Sequence, residues 1–121
     1  MPRNATWFNY DRTMSPPTAL PHPDPEEFSL SAVLKALADP ERLTIVAQLT
    51  QGPQDVGECF RDNPAVPKST RSHLMKVLRE AGIIRNDPTP GGPGRRVTLR
   101  QEDLDARFPG LLAAILANAP T

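Results

Sequence analysis

The sequence predicts a mainly α-helical fold of the winged helix-turn-helix class, helices plus a two-stranded β-hairpin, assembled as a homodimer. Three observations point there. Four stretches between residues 29 and 82 read as helices, two short β-branched runs flank a glycine- and proline-rich segment, and an apolar helix closes the chain. The order helix, helix, helix, helix, hairpin, helix is that of a recognition helix backed by a shorter one and followed by a wing.

The first helix is expected in "SLSAVLKALADP", with Leu30, Val33, Leu34 and Leu37 on one face. Asp39-Pro40 stops it and starts the next, because proline disfavours helix before it and suits a first helical position, with Asp39 as cap. "ERLTIVAQL" carries that second helix through Leu43, Ile45, Val46 and Leu49 to Gly52. Asp55 and Glu58 have the spacing of a capping box, opening a third helix over "VGECFRD". "NPAVP" breaks the chain. Pro67 then suits the first turn of a fourth helix, with Leu74, Val77, Leu78 and Ala81 as its apolar stripe and Gly82 as a left-handed cap. "IIRN" and "RRVTLR" are expected as strands around "DPTPGGPG". "QEDLDARF" is a short helical turn, and Pro109 opens a last helix with Leu111, Leu112, Ile115 and Leu116.

A chain of 121 residues holds one domain with a modest core that a partner could complete. Residues 1–25 read as a proline-rich tail, holding six of the fifteen prolines, and residues 26–121 as the winged helix-turn-helix DNA-binding and dimerisation domain. Trp7, Phe8 and Tyr10 are half of the six aromatics, so the tail is either disordered or docked through them. No apolar run approaches the ~20 residues of a membrane span, and no secretory signal opens the chain, so a cytoplasmic protein with no membrane partner is expected.

Net charge is zero, yet it is unevenly placed. Between residues 61 and 100 nine Lys and Arg face three Asp and Glu, a local charge of +6 that the remainder balances with −6. Such a basic module attracts phosphate. Lys68, Ser69, Thr70, Arg71, Ser72 and His73 lie in the first turns of the fourth helix, where base edges of double-stranded DNA are met. Arg71 is the expected base reader, since a guanidinium pairs with guanine, and Lys76 is placed for phosphate. At the hairpin tip, Arg95 and Arg96 suit a phosphate rail or a narrow minor groove.

The blocks Leu-Ala-Asp-Pro-x-Arg-Leu-x-Ile at 37–45 and Lys-Val-Leu-Arg-Glu-Ala-Gly-Ile at 76–83, with the Gly/Arg hairpin, make residues 30–118 resemble the ArsR family of bacterial transcriptional repressors. The resemblance implies a homodimer through the first and last helices, a palindromic operator, and repression relieved by an effector. The dimer surface would comprise Leu30, Val33, Leu34, Leu111, Leu112, Ile115 and Leu116. The chain departs from the family in three places. Where metal-sensing members carry a Cys-x-Cys pair there is only Cys59; residues 101–121 hold no histidine; and Leu74 stands where Ser-x-His-Leu would place a histidine, beside His73. One thiol per chain is poor provision for zinc or a softer metal, so no metal or other cofactor is expected.

Cys59 reads as a buried small hydrophobe, with a redox switch as the sharper alternative. His22 and His73 are not expected as metal ligands. A small organic or redox effector is left open. The apolar last helix either closes the monomer core or faces a second subunit. No carboxylate pair or nucleophile–base set stands at a recognisable spacing, so an enzyme is not expected. The rival to a DNA-binding repressor is a winged-helix protein-interaction module that does not bind DNA.

Overall fold

The computed structural model describes residues 19–120. Six helices surround a three-stranded antiparallel sheet: α1 (Leu30–Leu37), α2 (Pro40–Leu49), β1 (Gln54–Asp55), α3 (Val56–Cys59), α4 (Lys68–Glu80), β2 (Ile84–Pro88), β3 (Arg95–Leu99), α5 (Gln101–Arg107) and α6 (Leu111–Ala117). The strand order is β1-β3-β2, with Gln54 opposite Val97 and Asn86 opposite the same residue from the other side. The hairpin was expected as two-stranded; β1 is an addition. It is only two residues long, too short for alternation to mark it, and it ties the start of α3 to the base of the wing.

The helix boundaries follow local chemistry. Ser29 Oγ accepts from Ala32 N and Asp39 from Arg42 N, capping α1 and α2. Glu58 Oε1 accepts from Asp55 N at 2.8 Å, the reciprocal half of the expected capping box. α3 ends at Cys59 rather than running through Asp62, because Phe60 leaves helical dihedrals (φ −115°, ψ 16°) to begin the turn. α4 ends as expected at Gly82, φ +86°, with Ile83 N donating to Leu78 O and Gly82 N to Arg79 O at 3.0 Å each. α6 starts at Leu111, not at Pro109, since Gly110 takes the left-handed conformation (φ +79°) and breaks the chain direction first.

Leu78, Ile83, Ile84, Val33, Val46 and Val97 are sealed at the centre, joining α1, α2, α4 and both long strands. The expected stripe of α4 holds at Leu74, Leu78 and Ala81, with Val77 half-buried; Met75 and Arg79 are also buried. α1 differs from expectation. Its core face is Val33, Ala36 and Leu37, while Leu30 and Leu34 point outward, 48% and 43% exposed. Residues i and i+4 share a face, so 30 and 34 leave the core together while 33, 36 and 37 enter it.

Residues 21–28 cross the body as a strap. The carbonyls of Pro21, Pro23 and Pro25 accept from Arg79 (2.6 Å), Arg100 (2.7 Å) and Arg107 (2.8 Å). Residues 21–24 have no regular structure and Pro25–Glu27 form a single 3-10 turn, whose Pro25 carbonyl also accepts from Phe28 N; proline at the three positions leaves no N–H to satisfy. Residues 21–25, read from sequence as the end of a tail, are thus bonded to α4, to the end of β3 and to α5. Trp7, Phe8 and Tyr10 lie outside the described residues.

Candidate nucleic-acid interface

α3, the turn 60–67 and α4 form the helix-turn-helix. Phe60 and Val66 bury the turn against the core, and Pro67 precedes α4 as its cap residue. Lys68, Ser69, Ser72 and His73 are exposed on the first two turns of α4 and Lys76 on the third, and Thr70 is half-buried. No acidic residue stands in the first turn of α4. Neither Lys68 nor Lys76 is in an ion pair among the described residues, so both ammonium groups are available for an anion.

Arg71 is engaged within the chain. Its Nε donates to Val66 O at 2.8 Å, its Nη2 to Pro64 O at 2.7 Å, and its guanidinium stacks 5.1 Å from the centroid of the Phe60 ring. Its guanidinium is folded back over the turn that precedes α4, where it bonds the carbonyls of Val66 and Pro64 in "NPAVP". Arg95 likewise turns inward: Nε donates to Asn86 Oδ1 at 2.7 Å and Nη2 to Asn86 O at 2.9 Å. Arg96, one residue on, is exposed, as alternation along β3 requires. Arg85 is paired with Asp87 through its Nε and Nη2, at 3.0 and 3.1 Å, and that contact holds the Asp87 carboxyl below its ordinary range. Gly91 (φ +71°) and Gly94 (φ +88°) shape the tip.

Between α4 and the wing lies a groove of about 520 Å³. Lys68, Arg71, Ser72, Lys76 and Arg95 line it, with Leu20 entering from just before the strap. Leu20 and Asn86 had no signal in the sequence as parts of this surface, because both arrive through the fold, one from just before the strap and one by strand pairing. Of the nine residues expected to meet DNA, the structure leaves Lys68, Ser69, Ser72, His73, Lys76 and Arg96 exposed, and uses Arg71 and Arg95 to brace the elements that carry them.

No family model matches the chain. The chain is 36% identical over 95 residues, 77% of its length, to the HTH-type transcriptional repressor SmtB of Mycobacterium tuberculosis, and spans 66% of that repressor. Among solved structures it superposes with a TM-score of 0.58 on an ArsR family transcriptional regulator, at 26% identity over 73% of this chain and 88% of the other. The chain belongs to the ArsR family. The transcriptional repressor BigR of Xylella fastidiosa is a further structural neighbour, with a TM-score of 0.51 at 27% identity over 65% of this chain and 85% of the other.

Within this ArsR-family chain Cys59 is buried, and burial, aided by Glu58 and Asp55, pushes its thiol up to about 11. A thiol so held is a poor nucleophile and a poor metal ligand. Among the described residues no three His, Cys, Asp or Glu side chains gather as a metal site would require. The residues expected at a dimer surface divide. Leu30 and Leu34 are exposed, Leu111, Ile115 and Leu116 are half-buried, and Val33 and Leu112 are interior to the single chain. Those last two are core residues because α1 and α6 each turn one face fully inward. No helix among the described residues is long and apolar enough to cross a membrane.

Proposed function

We propose that the protein is a DNA-binding transcriptional repressor that acts as a homodimer on a palindromic operator. The observation that carries this reading is the exposed face of α4 from Lys68 to Lys76, where Lys68, Ser69, Ser72, His73 and Lys76 stand free of the core, with no acidic residue in the first turn, beside a wing carrying Arg96. The width of a major groove admits one helix presented this way. Ser69, Ser72 and His73 reach base edges; Lys68, Lys76 and Arg96 bind phosphate; Arg71 and Arg95 hold the turn and the wing in place. Leu30 and Leu34, with the half-buried side chains of α6, form the dimer surface, and half-sites stand about one helical turn apart. The kinship with SmtB and BigR, both named repressors, supports repression as the outcome of binding.

Selection of bound fragments from genomic DNA at physiological salt tests this. A single enriched palindrome is expected, with affinity falling steeply as salt rises, and Lys76→Ala should reduce the slope of log affinity against log salt by about 0.9. No enriched sequence, with binding instead to a protein, would replace the reading by that of an interaction module.

A further inference from the structure

β2 is an edge strand, and the strap covers its outer side with a side chain rather than another strand. The Nε2 of His22 accepts from the backbone N–H of Asn86 at 3.0 Å. A ring nitrogen that accepts is unprotonated, so the imidazole is neutral with its proton on Nδ1. Asn86 is itself a node: 6% exposed, it takes the Arg95 guanidinium on both its side-chain and backbone oxygens. One residue before His22, the carbonyl of Pro21 accepts from Arg79 of α4, which is 8% exposed. Two consecutive strap residues therefore bind the helix on one side and the wing strand on the other.

We propose that His22 is a proton-released latch, whose neutral ring holds the strap to β2 and whose protonation undocks the strap and loosens the hold between α4 and the wing. Protonated, the ring presents N–H to N–H at Asn86 and the amide loses its acceptor. The surrounding charge acts the same way. Arg85 on β2, Arg79 on α4 and Arg100 after β3 all oppose a cation here, and Asp87 on β2, engaged by Arg85, is the one carboxylate among the described residues that favours it. Burial is the largest cause lowering the His22 pKa from its ordinary 6.5, and the arginines follow. The sign follows from linkage. The docked strap binds the proton less well than the free one, so docking is undiminished above pH 6.5 and is lost as pH falls through the lower docked value, by up to about tenfold per pH unit.

The coupling to DNA rests on the function proposed above; the latch itself does not, and the experiment separates them. Without DNA, NMR of the full chain should show His22 titrating below 6.5, with the protection factor of the Asn86 amide, the intrinsic exchange rate over the observed rate at each pH, falling over the same range. His22→Gln, whose amide oxygen accepts but does not titrate, should keep that amide protected across pH 5.5–7.5, and His22→Ala should leave it unprotected throughout. An Asn86 protection factor indifferent to pH in the wild type, or equally pH-dependent in His22→Gln, overturns the latch. Operator affinity that falls with acid in the wild type and less in His22→Gln supports the coupling, His73 being present in both. Equal falls overturn the coupling, and absence of DNA binding at any pH overturns the proposed function while leaving the exchange result standing.

Discussion

The guanidinium of Arg71 lies 5.1 Å from the centroid of the Phe60 ring, and from there reaches Val66 O and Pro64 O. That contact fixes the angle at which α4 leaves the turn. Hydrogen bonds from a charged group contribute about 1.5–3 kcal/mol, so Arg71→Ala is expected to lower unfolding free energy by about 1–3 kcal/mol in urea titration. DNA affinity should fall by a similar factor on every sequence, because a displaced helix loses all its contacts together. Arg71→Lys should not restore it, since an ammonium cannot bridge two carbonyls and stack in one plane. Relaxed preference at a single base pair with unchanged stability would instead make Arg71 a base reader.

Gly82 meets two demands at once. Its φ of +86° closes α4, and a Cβ there would run into the ring of Phe28, which anchors the strap. The left-handed conformation costs a residue with a side chain about 1–2 kcal/mol, and overpacking a further 1–3. Gly82→Ala is therefore expected to destabilise the fold by about 2–4 kcal/mol and to detach Phe28, read as increased proteolysis near residue 28. Cleavage there at the wild-type rate would place the strap's anchorage elsewhere.

The cap at Asp39, the Asp55–Glu58 box and the glycine stop at Gly82 were legible in the sequence because each is local chemistry fixed within four residues. The order of elements, and hence the fold, followed from them. The partners of the arginines were not legible. Arg79 and Pro21 are 58 positions apart and Arg100 and Pro23 are 77 apart, and no periodicity marks a carbonyl as an acceptor. Charge and position therefore group Arg71 and Arg95 with Lys68 and Lys76 on one surface, whereas a guanidinium's several donors suit it to bracing backbone and an ammonium's point charge suits it to solvent. The same limit applies to α1, where spacing grouped Leu30 and Leu34 with Val33 and only packing separated them.

The Cys59 thiol, 4% exposed and raised from 9.0 to about 11, is expected to resist alkylation. At pH 8 a shift of two pH units leaves about a hundredfold less thiolate than in a free thiol. The folded value lies above the unfolded one, so the thiol's contribution to stability is complete below pH 9 and lost as pH rises towards 11. Urea midpoints at pH 8 and pH 10 should fall further for the wild type than for Cys59→Ala. Rapid labelling of the folded protein at pH 8 would contradict the buried, protonated state and reopen a redox role.

Leu30 and Leu34 are one helical turn apart on α1 and both leave the core, so a change at either costs a single chain little. In a two-fold dimer each residue counts twice, because the same patch serves both subunits. Burying a leucine is worth about 1.5–3 kcal/mol, so Leu34→Glu is expected to raise the dimer dissociation constant at least a hundredfold, by about 3 kcal/mol or more. Sedimentation should then report one chain where the wild type gives two, with urea stability of the monomer nearly unchanged. DNA affinity should drop together with the mass, since a single recognition helix meets only one half-site. A dimer that survives Leu34→Glu and Leu30→Glu alike would move the interface off α1, leaving α6 to form it through Leu111, Ile115 and Leu116, which the single chain only half covers.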